Sequence, residues 1–171
     1  MKNFLISIVI PIYEEGEQIN KNLHTIHNIL LENKINHEFF LIDDGSKDDT
    51  WQNIIKTANE IPCIRAAKFS TNFGKEAALF AGINEASGDA CIFMDADLQH
   101  PPYLIPQMVK LWKDEGYDVV ECVKASRGKE KLLGKIRAKL FYRIMKKTTG
   151  YDLNGASINY WIKKLLMQCG K

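Results

Sequence analysis

Short apolar runs alternate with stretches of helical spacing along the first 123 residues, and this alternation predicts the elements in turn. Ile6 to Ile12 is nearly all apolar with a proline near its end, the pattern of a strand buried on both faces. Residues 17–33 place Ile19, Leu23, Ile26 and Leu30 on one helical face. Phe39 to Ile42 is a second strand and stops at Asp43-Asp44-Gly45-Ser46. Asp48 or Asp49 can then cap a helix carrying Trp51, Ile54, Ile55 and Ala58. Ile64 to Phe69 reads as a third strand, and residues 75–86 as an Ala-rich helix ending near Gly88. Ala90 to Met94 is a fourth strand running into Asp95. Pro101 and Pro102 open a helix through about Trp112, and Val119 to Val123 is a fifth strand. Strands alternating with helices predict an α/β fold, a mostly parallel sheet flanked by helices. Such sheets bind ligands beyond the carboxyl ends of their strands. The polar clusters fall there: Tyr13-Glu14-Glu15, Asp43-Asp44 and Asp95-Ala96-Asp97.

Composition narrows the class. With 171 residues, 46% hydrophobic and 26% charged, the chain reads as one globular domain with a sizeable core. No run approaches ~18 apolar residues, so no transmembrane helix is expected within these positions. The amino-terminal apolar run lacks a small-residue cleavage site and meets Glu14, Glu15 and Glu17, which argues for a core strand over a signal peptide. Cys63, Cys91, Cys122 and Cys169 form no Cys-x-x-Cys pair; the first three sit in apolar surroundings and read as buried, reduced thiols of a cytosolic protein. The net charge of +2 conceals a split. Residues 1–123 carry 10 Lys+Arg against 19 Asp+Glu, a balance of −9. Residues 124–147 carry 10 Lys+Arg against Glu130 alone, a balance of +9. A segment that basic points to a phosphate, an anionic membrane surface or nucleic acid.

The acidic pairs carry the chemistry. Two carboxylates as close as Asp95 and Asp97 repel unless a cation offsets them. A hard divalent ion with oxygen ligands does so, Gln99 adds a further oxygen, and such an ion carries a diphosphate. Asp-x-Asp is often only a solvated turn, but here it follows an apolar strand and precedes Gln99-His100-Pro101-Pro102. Gly45, Ser46 and Asp48 satisfy a turn and helix cap, which leaves Asp43 and Asp44 free to accept hydrogen bonds from a base or a ribose. Neither Gly-x-Gly-x-x-Gly nor Gly-x-x-x-x-Gly-Lys-Ser/Thr is present, which argues against a dinucleotide dehydrogenase and a P-loop NTPase. No Cys/His cluster has zinc spacing, and His24, His27 and His37 fit surface or helix-face positions.

These motifs, in this order, resemble glycosyltransferase family 2 with its GT-A (Rossmann-like) fold. The similarity is to the polyprenyl-phosphate glycosyltransferases, the branch that includes dolichyl-phosphate mannose synthase. The matching stretches are Ser7 to Glu15, Leu41 to Ser46, Asn72 to Glu76, Gly82 to Ala90 and Met94 to Pro102, extended by Phe141-Tyr142-Arg143 and Thr149 to Asp152. The resemblance implies that Pro11, Tyr13, Glu15, Asp43 and Asp44 hold the nucleoside of a UDP- or GDP-linked sugar. It implies that Asp95, Asp97 and Gln99 surround Mg or Mn and the diphosphate. Lys75 and Arg127 become contacts for phosphate or acceptor, with Asp97 and Arg127 acting in catalysis. The family transfers sugar with inversion. A polyprenyl phosphate acceptor is already ionised and requires no strong base, which fits the absence of an obvious catalytic histidine. Within residues 129–147, Leu132, Leu133, Ile136, Leu140, Ile144 and Met145 make an apolar stripe among lysines and arginines. That stripe either packs on its own domain or lies on an anionic membrane near the lipid, and a helix bridging the two does both. A cytoplasmic protein, peripheral at the inner membrane face, follows from the second reading. Few aromatics interleave with the basic residues, which argues against nucleic acid. A polysaccharide acceptor and a nucleotide-sugar-binding chain without activity are the alternatives.

The pattern breaks after Ser157, so residues 1–157 are expected to form the GT-A domain, incomplete at its carboxyl end. Read one base earlier, the codons of Asn159-Tyr160-Trp161-Ile162 force Leu-Leu-Asp, and those that follow permit Lys-Glu-Val-Val-Asp, the family's usual continuation. Residues 158–171 are therefore expected to be frameshifted, with Trp161, Ile162, Leu165, Leu166 and Met167 forming an apolar, helix-like tail.

Overall fold

A computed structural model describes residues 4–99, 101–122 and 161–164. Among them the order is β1 (Ile6–Ile12), α1 (Gln18–Glu32), β2 (His37–Asp43), α2 (Thr50–Glu60), β3 (Ile64–Lys68), α3 (Lys75–Glu85), β4 (Ala90–Phe93), a 3₁₀ turn (Pro102–Leu104), α4 (Ile105–Glu115), β5 (Val119–Glu121) and β6 (Trp161–Lys164). The strands form one sheet in the order β3-β2-β1-β4-β6-β5. β1 runs parallel to β2 in a register from Ile6↔His37 to Ile12↔Asp43, and parallel to β4 from Ile6↔Ala90 to Val9↔Phe93. β3 continues the parallel set on β2. The chain order reverses between β1 and β4, and at that switch the loops diverge and leave a crevice.

Burial explains the apolar runs. Ile6, Ile8, Val9 and Ile10 are 0% exposed, as a strand covered on both faces requires. α1 buries Ile19, Leu23, Ile26 and Leu30, the predicted stripe, and α4 buries Ile105, Met108 and Val109. α3 lies on the face carrying Val9, Phe40 and Cys91. It comes close because Gly82 has no side chain: a Cβ there would sit 2.4 Å from Val9 Cγ1. Cys91 is buried as its surroundings predict, and burial pushes its thiol up to about 12. Cys63 and Cys122 are only half-buried.

The structure departs from expectation in three places. The double proline starts a 3₁₀ turn, and the α-helix begins only at Ile105. Asp49 takes the cap position of α2 without a side-chain bond, while Asp48 Oδ1 accepts from Thr50 N–H at 3.1 Å. Trp161–Lys164 is not helical but a strand, antiparallel to β4 (Cys91↔Lys163) and to β5 (Val120↔Ile162). Trp161-Ile162-Lys163-Lys164 is too short to fix a period, and pairing with the edge of β4 decides in favour of the strand. Arg127, the basic segment 129–147 and the rest of the tail lie outside the described residues.

Candidate functional site

The loops after β1, β2 and β4 and the start of α3 converge on one cavity of about 420 Å³, a size suited to a small-molecule ligand. The first two loops are sewn together. Glu14, at φ 53 in the left-handed region, donates its N–H to Ser46 Oγ at 2.9 Å, and Gly16 N–H donates to Thr50 Oγ1 at 2.8 Å. This turns Tyr13 and Glu15 toward the cavity, where both contribute to its wall. The Tyr13 phenol is held above its ordinary pKa, first by its hydrogen bond with Glu14 and then by surrounding carboxylates, so it stays a neutral hydroxyl.

Asp43 and Asp44 divide their work. Asp43 does not line the cavity: it is 0% exposed, and its Oδ1 accepts from Ser46 N–H at 2.8 Å. Its Oδ2 faces Lys68 Nζ at 3.3 Å, an ionic rather than a well-aligned hydrogen-bonding contact. Asp44 does line the cavity, and its two oxygens accept from Phe73 N–H at 2.7 Å and Gly74 N–H at 2.8 Å. It thereby fixes the loop that delivers Lys75, the first residue of α3. Each Asp44 oxygen retains a further lone pair for a ligand donor.

The Asp95-x-Asp97 loop is held from below. Asn22, buried on α1, donates from Nδ2 to Ala96 O at 2.7 Å. Leu98 sits at φ 54, a left-handed conformation that costs a leucine about 1–3 kcal/mol. That bend brings Gln99 N–H back to Asp97 Oδ1 at 3.0 Å. Asp97 is left exposed and Asp95 half-buried, side by side on the cavity wall. Lys75 Nζ donates to Asp95 Oδ1 in a short ion pair.

Charge shows what the site accommodates. Glu15 is held above its ordinary pKa, first by burial and then by the charges of Asp97, Asp95 and Asp48. Lys75 offsets Asp95, while Asp97 and Glu15 face one another's negative charge. An all-oxygen, anionic cluster of this kind fits a hard divalent cation. The elevated Glu15 value has a testable sign. An acid raised in the folded state lends stability below the ordinary carboxylate range, and that contribution disappears as pH rises through the folded pKa. Glu15→Gln is therefore expected to raise the melting temperature of the metal-free chain at neutral pH. The difference from wild type should shrink toward about pH 4, where Glu15 is protonated. A variant no more stable than wild type at both pH values would contradict the cluster.

The structure thus gathers Pro11, Tyr13, Glu15, Asp44, Lys75, Asp95 and Asp97 around one cavity. Gln99 stands outside the lining and touches Asp97 through its backbone. Asn72 and Gly74 line the cavity, and Asn22 supports it, although none of the three stood out in the sequence as a site residue. Asn22 left one signal: a polar residue three positions after Ile19 and four before Ile26 lies on the buried stripe.

Comparison with known proteins identifies the family and the fold. The sequence profile of the family described as "Glycosyl transferase family 2" matches residues 7–165, which takes in β6. The undecaprenyl-phosphate 4-deoxy-4-formamido-L-arabinose transferase of Serratia proteamaculans is 36% identical over 150 residues, covering 86% of this chain and 45% of that protein. The bactoprenol glucosyl transferase of Shigella phage SfV is 37% identical over 142 residues, covering 83% of this chain and 46% of that protein. The chain therefore spans about half the length of these relatives. Among solved structures, the mannosyltransferase PcManGT of Pyrobaculum calidifontis, in complex with GDP-Man and Mn2+, superposes with a TM-score of 0.67. It is 21% identical, and the match covers 93% of this chain and 44% of that one, a likeness of fold. By its motifs, its sheet order and this profile, the chain belongs to glycosyltransferase family 2, on a GT-A fold.

Proposed function

We propose that this chain binds the donor of an inverting glycosyltransferase that moves a sugar from a nucleotide-sugar to a polyprenyl phosphate at a membrane surface. The observation that carries the reading is the convergence of Asp44, Lys75, Asp95 and Asp97 on one cavity at the sheet's switch point. Pro11, Tyr13, Glu15 and Asp44 hold the nucleoside of a UDP- or GDP-linked sugar, and Asp43 contributes by fixing the turn beneath Asp44. Asp95 and Asp97 would hold magnesium or manganese, with Gln99 fixing Asp97 through its backbone N–H, and the ion would supply charge that offsets the departing diphosphate. Lys75 is placed to leave Asp95 for a diphosphate oxygen when the donor binds.

An acceptor phosphate oxygen forms its bond to the sugar C1 as the C1–O bond to the diphosphate breaks, and the nucleoside diphosphate departs with the electron pair. The acceptor is ionised beforehand, so the protein's task is in-line positioning and leaving-group stabilisation. Arg127 meets the acceptor or a phosphate, and residues 129–147 lie on the anionic cytoplasmic face. No helix among the described residues is long and apolar enough to cross a membrane.

Thermal melts with UDP, GDP and their sugars, with and without Mn2+, test the donor half. One base is expected to raise the melting temperature by about 5–10 °C at a hundredfold excess over Kd, and only with the metal. No shift with any nucleotide would sink the reading. Transfer to polyprenyl phosphate in liposomes then tests the acceptor. Binding without transfer supports the alternative of a donor-binding chain without activity.

A further inference from the structure

At the amino end of the sheet, away from the cavity, three potential ligands meet. His27 lies on α1, His37 is the first residue of β2, and Cys63 immediately precedes β3. Their ligand atoms all lie within 4.8 Å of one another. His27 Nδ1 is 2.8 Å from His37 Nε2, and Cys63 Sγ is 3.9 Å from His27 Nδ1. His37 stands at the opposite end of β2 from Asp43, about 20 Å away along the strand. We propose that His27 Nδ1, His37 Nε2 and Cys63 Sγ form a second, separate metal site for a borderline divalent transition ion, zinc or its surrogate cobalt(II).

The geometry is near that of such a site. Tetrahedral coordination at usual zinc distances places two nitrogens about 3.3 Å apart and a nitrogen and sulfur about 3.6 Å apart. To reach it the imidazole pair opens by about half an ångström, and the thiol closes by about 0.3 Å on His27 and by at most about 1.2 Å on His37. His37 Nδ1 lies 2.8 Å from Ile35 O, which makes it the N–H donor and leaves a lone pair on Nε2. An outer hydrogen bond to a backbone carbonyl is what fixes the ring of a metal-ligating histidine. Without metal, His27 must donate its Nδ1 proton to that lone pair. On binding, the proton moves to His27 Nε2, the Cys63 thiol becomes a thiolate, and one proton leaves per ion bound.

A packing role accounts for part of the cluster. The two rings meet edge to face at 5.0 Å, and Phe39 covers His37 at 5.3 Å. Packing gives no reason for a thiol from the loop before β3 to face the pair. Burial holds both imidazoles below their ordinary pKa, so both are neutral ligands at physiological pH. Burial also pushes the Cys63 thiol up, which argues against a reactive nucleophile and for a group deprotonated only by a bound cation. His27 and Cys63 are half-buried, so an ion has a way in. Among the described residues no fourth His, Cys, Asp or Glu joins the group, which leaves one position for water. The donor set is soft where the Asp95–Asp97 cluster is hard, so the two sites sort different ions.

Titration of the full chain with cobalt(II) near neutral pH tests this without regard to transferase activity. The expected result is a thiolate-to-cobalt charge-transfer band with intense four-coordinate visible bands. Both saturate at one equivalent, release one proton, and are abolished by zinc but not by excess magnesium. Cys63→Ser should remove the charge-transfer band, and His27→Gln should weaken cobalt binding at least tenfold, each in chains with native circular dichroism. Asp97→Asn should leave the signal intact, which separates this site from the donor cavity. Absence of the band in the wild-type chain, its survival in Cys63→Ser, or unchanged affinity in His27→Gln overturns the site.

Discussion

Asp97→Ala is expected to abolish manganese-dependent binding of the nucleoside diphosphate and to lower sugar transfer by about 10²–10³-fold. The size follows from the several kcal/mol that a metal supplies at a leaving diphosphate, at about 1.4 kcal/mol per tenfold in rate. Asp97 is suited to the experiment because it is exposed and, among the described residues, bonded only locally, to Gln99 N–H. Removing its carboxylate should change stability by no more than about 0.5 kcal/mol, so loss of binding would not reflect unfolding. Asp95→Asn is a less clean probe, because it also frees the Lys75 ammonium paired with it. Isothermal titration with the nucleotide, with and without Mn2+, makes the measurement. Retention of metal-dependent binding within twofold of wild type would remove Asp97 from the site.

Gly45→Ala is expected to be the most destabilising single substitution in the donor loops. Gly45 sits at φ +74, and a Cβ there would lie 2.5 Å from the Thr71 carbonyl carbon and 2.8 Å from Asn72 N. These are backbone atoms, so no rotamer change relieves the overlap. Gly116 isolates the backbone contribution: it has nearly the same φ, +75, with nothing within 4 Å of its Cβ position. Gly116→Ala should therefore cost only the left-handed penalty, about 1–2 kcal/mol, or roughly 2–8 °C in melting temperature. Gly45→Ala adds the clash and should cost at least about 3 kcal/mol. Because Thr71 and Asn72 lead directly into the loop held by Asp44, nucleotide affinity should fall with stability in this variant alone. Equal melting temperatures for the two variants would refute the close approach.

What the sequence showed and what it hid follow from the range of the forces involved. The parallel strands were legible because burial on both faces demands unbroken apolar runs, and β1 through β4 appeared within a residue or two of prediction. The site's outer members were legible because charged residues at strand ends have few structural uses. Asp43 and Asp44 could not be told apart, since adjacent residues leave a strand on opposite sides and only the tertiary turn decides which faces Ser46 and Lys68. The His27–His37–Cys63 group was invisible to spacing rules because its members come from a helix, a strand and a loop far apart in sequence, and His37, read as a surface or helix-face residue, is 7% exposed at the start of a strand. β6 was missed because four residues carry too little period to outweigh a neighbouring strand edge.

The placement of β6 also bears on how the chain acquires its structure. Among the described residues, β5 joins the sheet only through β6, which inserts between it and β4. Sequence order is therefore violated at that edge: β4 ends at Phe93, and the strand that covers it starts at Trp161. At a synthesis rate of roughly 5–20 residues per second, β4 spends about 3–14 s as an unpaired edge beside the acidic loop it supports. Nascent chains at this stage expose a short apolar strand, the kind of edge that recruits other chains. Pairing over so long a loop adds contact order that the four parallel strands do not need. Pulse-labelled hydrogen exchange should accordingly protect β1–β3 amides before those of β5 and β6, with β4 becoming fully protected only in the last phase.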